Sequence, residues 1–138
     1  MNRYTLVFLG VLLLALPLSA QVAIIANKSA KIENLDQKKL ADIYSLSLIK
    51  CDDGQKIVVF DMKTDSPSKD KFYTFIDKSS ADLRKHWMRL QLTGEGKAPK
   101  ALPSEDEMLK MVATTANAIG FVSAAKVDDS VVVLLTIN

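Results

Sequence analysis

The chain is 138 residues long, with 18 basic and 16 acidic side chains, one histidine and one cysteine, a length that suits one domain with a core of its own. The near balance of charge excludes nucleic acid as a bulk electrostatic partner, which calls for a basic face. A single His and a single Cys exclude a Cys/His zinc centre and an internal disulfide framework, so no metal or cofactor is expected and stability rests on the core.

In chain order, residues 1–20 read as a secretory signal: Arg3, the apolar run Leu6 to Leu16, Pro17, and the small Ala20 at a cleavage position. Leu18 is a poor fit for that cleavage site, so a cut a few residues later is the alternative. The apolar run is shorter than the roughly 18–20 residues that span a bilayer. The expectation is therefore a cleaved signal (1–20), a domain over 21–138 in the periplasm or secreted, and no stable membrane insertion after cleavage. Without Arg3, that domain carries 17 basic and 16 acidic side chains.

"VAIIA" (Val22–Ala26) is short, apolar and β-branched, and predicts a buried strand. Asp36 follows a polar loop as a helix N-cap, with Leu35 and Leu40 placed as a hydrophobic staple. Leu40, Ile43 and Tyr44 share one face of a helix that ends near Ser45. "SLSLIKCDDGQ" is a loop, with Cys51 read as a small residue before the Asp53-Gly54 turn. "KIVVFDM" (Lys56–Met62) predicts a strand buried on both faces, as in a sheet covered by helices.

Ser66 is the next N-cap, with Pro67 at the first helical position, where its missing N–H costs nothing. Phe72, Phe75 and Ile76 form this helix's inward stripe. Ser79 caps a third helix in which Leu83, Trp87 and Leu90 face the core and Arg84, Lys85 and Arg89 face solvent. "TGEGKAPKALP" reads as a long loop, and Ser104 with Glu107 as a capping box for a fourth helix whose buried face includes Leu109 and Val112, widened by Met108 and Met111. Strands at Ala118–Val122 and Ser130–Ile137 close the chain. The order β-α-β-α-α-loop-α-β-β is an α/β pattern.

Several of these pieces, in this order, resemble the phosphate-binding proteins of ABC transporters, which have the type II periplasmic binding fold. "NLDQKKLADIYSLSLIKCDDGQKIVVFDM" is similar to that family's short helix ending in Ile-Phe-Gly, tryptophan, glycine and strand. "SPSKDKFYTFI" sits where the family carries a Ser-Gly-Thr turn before a helix, and "TANAIGFVSAA" is similar to its Gly-Ala-Ile-Gly-Tyr-Val strand. "HWMRLQLTGEGKAP" is similar to the tryptophan and Thr/Ser-Gly-x-Gly loop of short, single-lobe relatives. The resemblance spans nearly all of the mature chain. It implies one lobe of a type II periplasmic binding fold, a small mixed β-sheet flanked by helices, with phosphate or another small anion as ligand and an ABC permease as partner. The chain departs from the family at Tyr44-Ser45-Leu46, at Cys51 in place of the tryptophan, and at Pro67 in place of the turn's glycine. Proline has no N–H, so one backbone ligand is missing.

The residues themselves support an anion seat at the start of the second helix. A helix N-terminus offers free N–H groups and a partial positive charge. Ser66 and Ser68 add hydroxyls, Lys69 adds a charge, and Thr64 adds a hydroxyl at the strand end. Ligands of open α/β sheets sit at the carboxyl ends of strands, which is where this turn lies. Asn27 and Ser29, after the first strand, are expected to converge on the same edge. Against this stands a plain helix cap, worth about 1 kcal/mol without any ligand, with Asp65 and Asp70 placing negative charge beside it. The alternative function is a periplasmic interaction module on the same one-lobe scaffold, met by a partner protein or by a second copy in a homodimer. The sequence holds no nucleophile–base pattern and no glycine-rich phosphate loop, so neither an enzyme nor a catalytic residue is expected. His86 reads as a surface or core-edge residue, and Glu105–Glu107 as first-turn acids that complement the helix dipole.

Overall fold

Five short segments pair into one sheet in the computed structural model, which describes residues 21–138. The signal-sequence reading lies outside the described residues. The strands are β1 (Val22–Ala26), β2 (Val58–Met62), β3 (Lys100–Leu102), β4 (Ala118–Ser123) and β5 (Val132–Ile137), and the helices are α1 (Gln37–Tyr44), α2 (Pro67–Phe75), α3 (Ser80–Leu92) and α4 (Glu105–Thr114). Across the sheet the order is β3-β2-β4-β1-β5. β2 runs parallel to both β3 and β4, whereas β1 runs antiparallel to β4 and to β5. The sheet is therefore mixed, and the carboxyl ends of β2, β3 and β4 share one edge while that of β1 lies at the other.

The helix starts follow local chemistry. The side chains of Asp36, Ser66, Ser79 and Ser104 each accept the amide of the residue three positions on, and each cap residue is extended. That pairing satisfies one of the amides that a helix N-terminus leaves without a partner. At Ser104 only this half of the capping box forms. The carboxylate of Glu105, not Glu107, bonds outward, with Oε1 accepting the Ser123 amide at 2.8 Å.

Layering is fixed by alternation along β4. Phe121 faces α1 and α2: its ring stacks on Phe72 at 3.9 Å, with planes 5° apart, and Tyr44 meets Phe72 edge-on at 4.6 Å. Such aromatic pairs are worth about 0.5–1.5 kcal/mol each beyond the area they bury. Gly120 points to the other face, where a Cβ would lie 2.4 Å from Met108 Sδ on α4. α3 is tied to the end of α1, whose last carbonyls have no partner within their own helix. Trp87 Nε1 donates to Tyr44 O at 2.7 Å, and the His86 ring lies 2.8 Å from Ser45 O.

The expected long loop before Ser104 is not wholly a loop. Its residues Lys100–Leu102 form β3, paired in parallel with Phe60–Met62. Of the expected inward stripe, Phe72 and Ile76 are buried and Phe75 is half-buried, and Tyr73 is buried beside them. In α4, Met108 and Val112 are the fully buried pair and Leu109 is half-buried. Cys51 is buried, its amide donating to Gln55 O.

Candidate functional site

The turn after β2 takes its shape from β3. Lys63 N donates to Leu102 O at 2.8 Å, and Thr64 Oγ1 to Pro103 O at 3.4 Å. The chain then enters α2 through Ser66, whose hydroxyl accepts the Lys69 amide at 3.1 Å and whose carbonyl accepts the Asp70 amide at 3.0 Å. Pro67 has no N–H. Among the first-turn amides of α2, that of Ser68 is left without a protein acceptor in the described residues. The Ser66 hydroxyl accepts from Lys69 and keeps its own proton free to donate. Ser66 and Ser68 are half-buried, and Thr64 is exposed. The start of α2 thus carries one free amide and two serine hydroxyls, those of Ser66 and Ser68, at the carboxyl edge of β2.

Lys69 is placed differently from a side chain reaching over the helix start. It is buried, with Nζ 3.5 Å from Asp65 Oδ1 and 6.0 Å from the centre of the Tyr73 ring. Its charge sits beside the turn, part-compensated by Asp65.

The neighbouring helix start, that of α4, shares the edge but differs in chemistry. Glu105, Asp106 and Glu107 all lie in its first turn. Glu105 holds the Ser123 amide, and Asp106 lies 3.1 Å from Lys126 Nζ. Its own carboxylates supply the negative charge that the helix dipole favours.

Asn27 and Ser29 do not join the turn. β1 runs against β4, and β4 runs with β2, so the carboxyl end of β1 is at the opposite edge of the sheet. There Asn27 Nδ2 donates to Val112 O at 2.9 Å and Ala113 O at 3.0 Å, occupying carbonyls at the end of α4. Asn27 Oδ1 accepts both the amide and the hydroxyl of Ser29, and Ser29 Oγ accepts the Asn117 amide at 3.0 Å. Both residues close a helix end and a strand start, and the expected convergence with Ser66 fails on strand direction.

A buried polar group close to Lys69 escaped the sequence reading. Asp61, on β2, is 4% exposed. Burial pushes its carboxyl above the usual carboxylate range, opposed first by the Tyr73 hydroxyl and more weakly by Lys69 and Arg84. Burial and the Asp61 carboxyl likewise push the Tyr73 phenol well above its ordinary value. The Tyr73 hydroxyl leans toward Asp61 and Ser80, yet Asp61 Oδ1, Tyr73 OH and Ser80 Oγ complete no well-formed hydrogen bond. The available signal was an acid at an inward strand position, flanked by Phe60 and Met62.

No family model and no curated protein matches the chain. Among solved structures it is similar to a phosphate ABC transporter substrate-binding protein from Clostridium perfringens with bound phosphate, at a TM-score of 0.68 and 21% identity, over 82% of this chain and 43% of that one. It is also similar to an ABC-type phosphate transport receptor from Vibrio cholerae, at a TM-score of 0.64 and 22% identity, over 82% of this chain and 44% of that one. The chain spans less than half the length of either. At these identities the likeness shows the fold: a mixed five-stranded α/β sheet flanked by helices, matching one lobe of a periplasmic binding protein.

Proposed function

We propose that the chain is an exported solute-binding lobe that holds a small oxyanion, phosphate or a close analogue, at the turn Thr64–Lys69, and that it serves an ABC permease. The observation that carries this reading is the presence, at the start of α2, of a Ser68 amide without a protein acceptor beside the Ser66 and Ser68 hydroxyls, in a fold shared with a protein solved with phosphate bound. An oxyanion needs several N–H and O–H donors aimed at one point, and a helix N-terminus adds partial positive charge. Thr64 supplies a further hydroxyl from the strand end. Lys69 supplies charge from beside the turn, and its amide donates to the Ser66 hydroxyl. The chemistry is binding rather than catalysis, and Asn27 and Ser29 have no part in it.

The test is a titration of the purified protein with phosphate, sulfate and a carboxylate, followed by melting temperature. Saturation at 100 times Kd adds about 2.7 kcal/mol of stability. Ser66→Ala combined with Ser68→Ala is expected to abolish the shift. An unchanged shift in that variant, or no shift at millimolar phosphate, overturns the reading.

A further inference from the structure

A cavity lies at the other end of β2, away from the Ser66 turn. β3 pairs only with the last three residues of β2, Phe60–Met62. The segment leading into β3 contains Pro99, which lacks an N–H for a sheet ladder, and it stands off from Ile57 and Val58. The gap is a cavity of about 390 Å³, within the range of small-molecule sites, roughly 300–1,000 Å³. Its walls are apolar: Leu46, Leu48 and Ile49 on one side, Ile57 and Val59 on the strand, and Pro99 opposite. Ile49 is 48% exposed, a large apolar side chain left at the rim.

The charges around this cavity are one-sided. Lys56, Lys97 and Lys100 line it, against the one acid Glu95. All three lysines are exposed, and none has a carboxylate within 4.0 Å among the described residues. An apolar cavity under unpaired cations matches a ligand with the opposite arrangement. A bare oxyanion would leave the walls unused, and a neutral hydrocarbon would leave the lysines without a counter-charge.

We propose that this cavity binds a small amphiphilic anion, a carboxylate with a medium-length aliphatic tail, the tail against Leu46, Leu48, Ile57 and Val59 and the carboxylate at Lys56, Lys97 and Lys100. The site is separate from the oxyanion turn and stands whether or not that turn binds phosphate.

Amide NMR of the purified protein, titrated with octanoate, hexanoate and octanol, tests it. Octanoate is expected to give saturable shifts at Ile49, Lys56–Val59 and Lys97–Lys100. Hexanoate, two methylenes shorter, is expected to bind about fifteenfold more weakly, since each buried methylene is worth about fourfold in affinity. Octanol should bind several-fold more weakly at the same amides. Lys97→Glu, at an exposed position, should lower octanoate affinity at least fivefold and leave octanol unchanged. Ala98→Phe, a large side chain at a residue that lines the cavity, should weaken both. Phosphate, as a control, should leave these amides unmoved. The proposal is overturned by an absence of saturable shifts at several millimolar octanoate, by equal affinity for octanoate and octanol, or by binding only to anionic vesicles or acidic peptides.

Discussion

Lys69 Nζ lies 3.5 Å from Asp65 Oδ1, and the two side chains have opposite surroundings: 6% of the lysine side chain is exposed against 92% of the aspartate's. The cation is held inside the fold beside the Ser66 turn, and the anion is free to swing in water. Asp65 therefore weakens the field that Lys69 sends toward the turn, and does so from a position that contributes little packing. Asp65→Asn is expected to tighten phosphate binding about fivefold at low salt, the effect of one unit charge a few ångströms away in water. Isothermal titration checks it, and the gain should shrink at 0.5 M salt because the Asp65 carboxylate is exposed and screened by mobile ions. Equal affinities at both salts would show that Lys69 does not act on the ligand.

Asp61 predicts a pH dependence of stability. Its folded-state carboxyl is raised above 3.8 by burial, so the folded protein binds this proton more tightly than the unfolded chain does. That contribution is fully present below the unfolded value and is lost as pH rises through the folded one. Asp61→Asn keeps the shape without the charge. The variant is expected to gain about 1 kcal/mol at pH 7, the order of cost of an imperfectly satisfied buried polar group. The gain should shrink toward pH 4. Urea unfolding of both proteins at the two pH values measures it, and a gain that grows on acidification would refute the assignment.

Local chemistry made the helices legible. The cap at Ser66 is set by a hydroxyl and an amide three residues apart, and Pro67 fixes the first φ, so the turn could be placed from its own residues. The same holds for the caps at Asp36, Ser79 and Ser104. Strand direction is different. Whether Asn27 lies beside Ser66 depends on β1 running against β4, a pairing across most of the chain, and nothing near Asn27 encodes it. β3 was hidden for a related reason: Lys100–Leu102 is a strand only because Phe60–Met62 lies alongside. The surroundings of Asp61 depend on Tyr73 and Arg84, which arrive from two helices.

Gly120 is required by packing. Its φ is not in the left-handed region, but a Cβ there would lie 2.4 Å from Met108 Sδ and 3.1 Å from Val112 Cγ2, both on α4. Met108 and Val112 are fully buried, so neither has open space to move into. Gly120→Ala is expected to cost about 1–3 kcal/mol, as overpacking of a filled core does. Adding Met108→Ala to that variant should cost less than Met108→Ala costs in the parent, because the added methyl takes up part of the space. Chemical denaturation of the four proteins gives the coupling, and strict additivity would mean that the two side chains do not compete.

Trp87 closes the end of α1 from a second helix. Its indole N–H reaches Tyr44 O at 2.7 Å, while the Tyr44 hydroxyl donates to Phe60 O at 2.7 Å. One tyrosine thus links α3, α1 and β2. Tyr44 O is a helix-end carbonyl with no partner inside its own helix, and Tyr44 is fully buried, so water cannot easily replace the indole. Trp87→Phe keeps an aromatic ring but removes the donor. It is expected to destabilise by about 1–3 kcal/mol, the cost of a buried acceptor left unpaired. The half-buried His86 meets Ser45 O, which solvent can reach more readily, so His86→Ala should cost less. Equilibrium unfolding of the two variants ranks them, and a larger loss at His86 would move the closure of α1 from the indole to the imidazole.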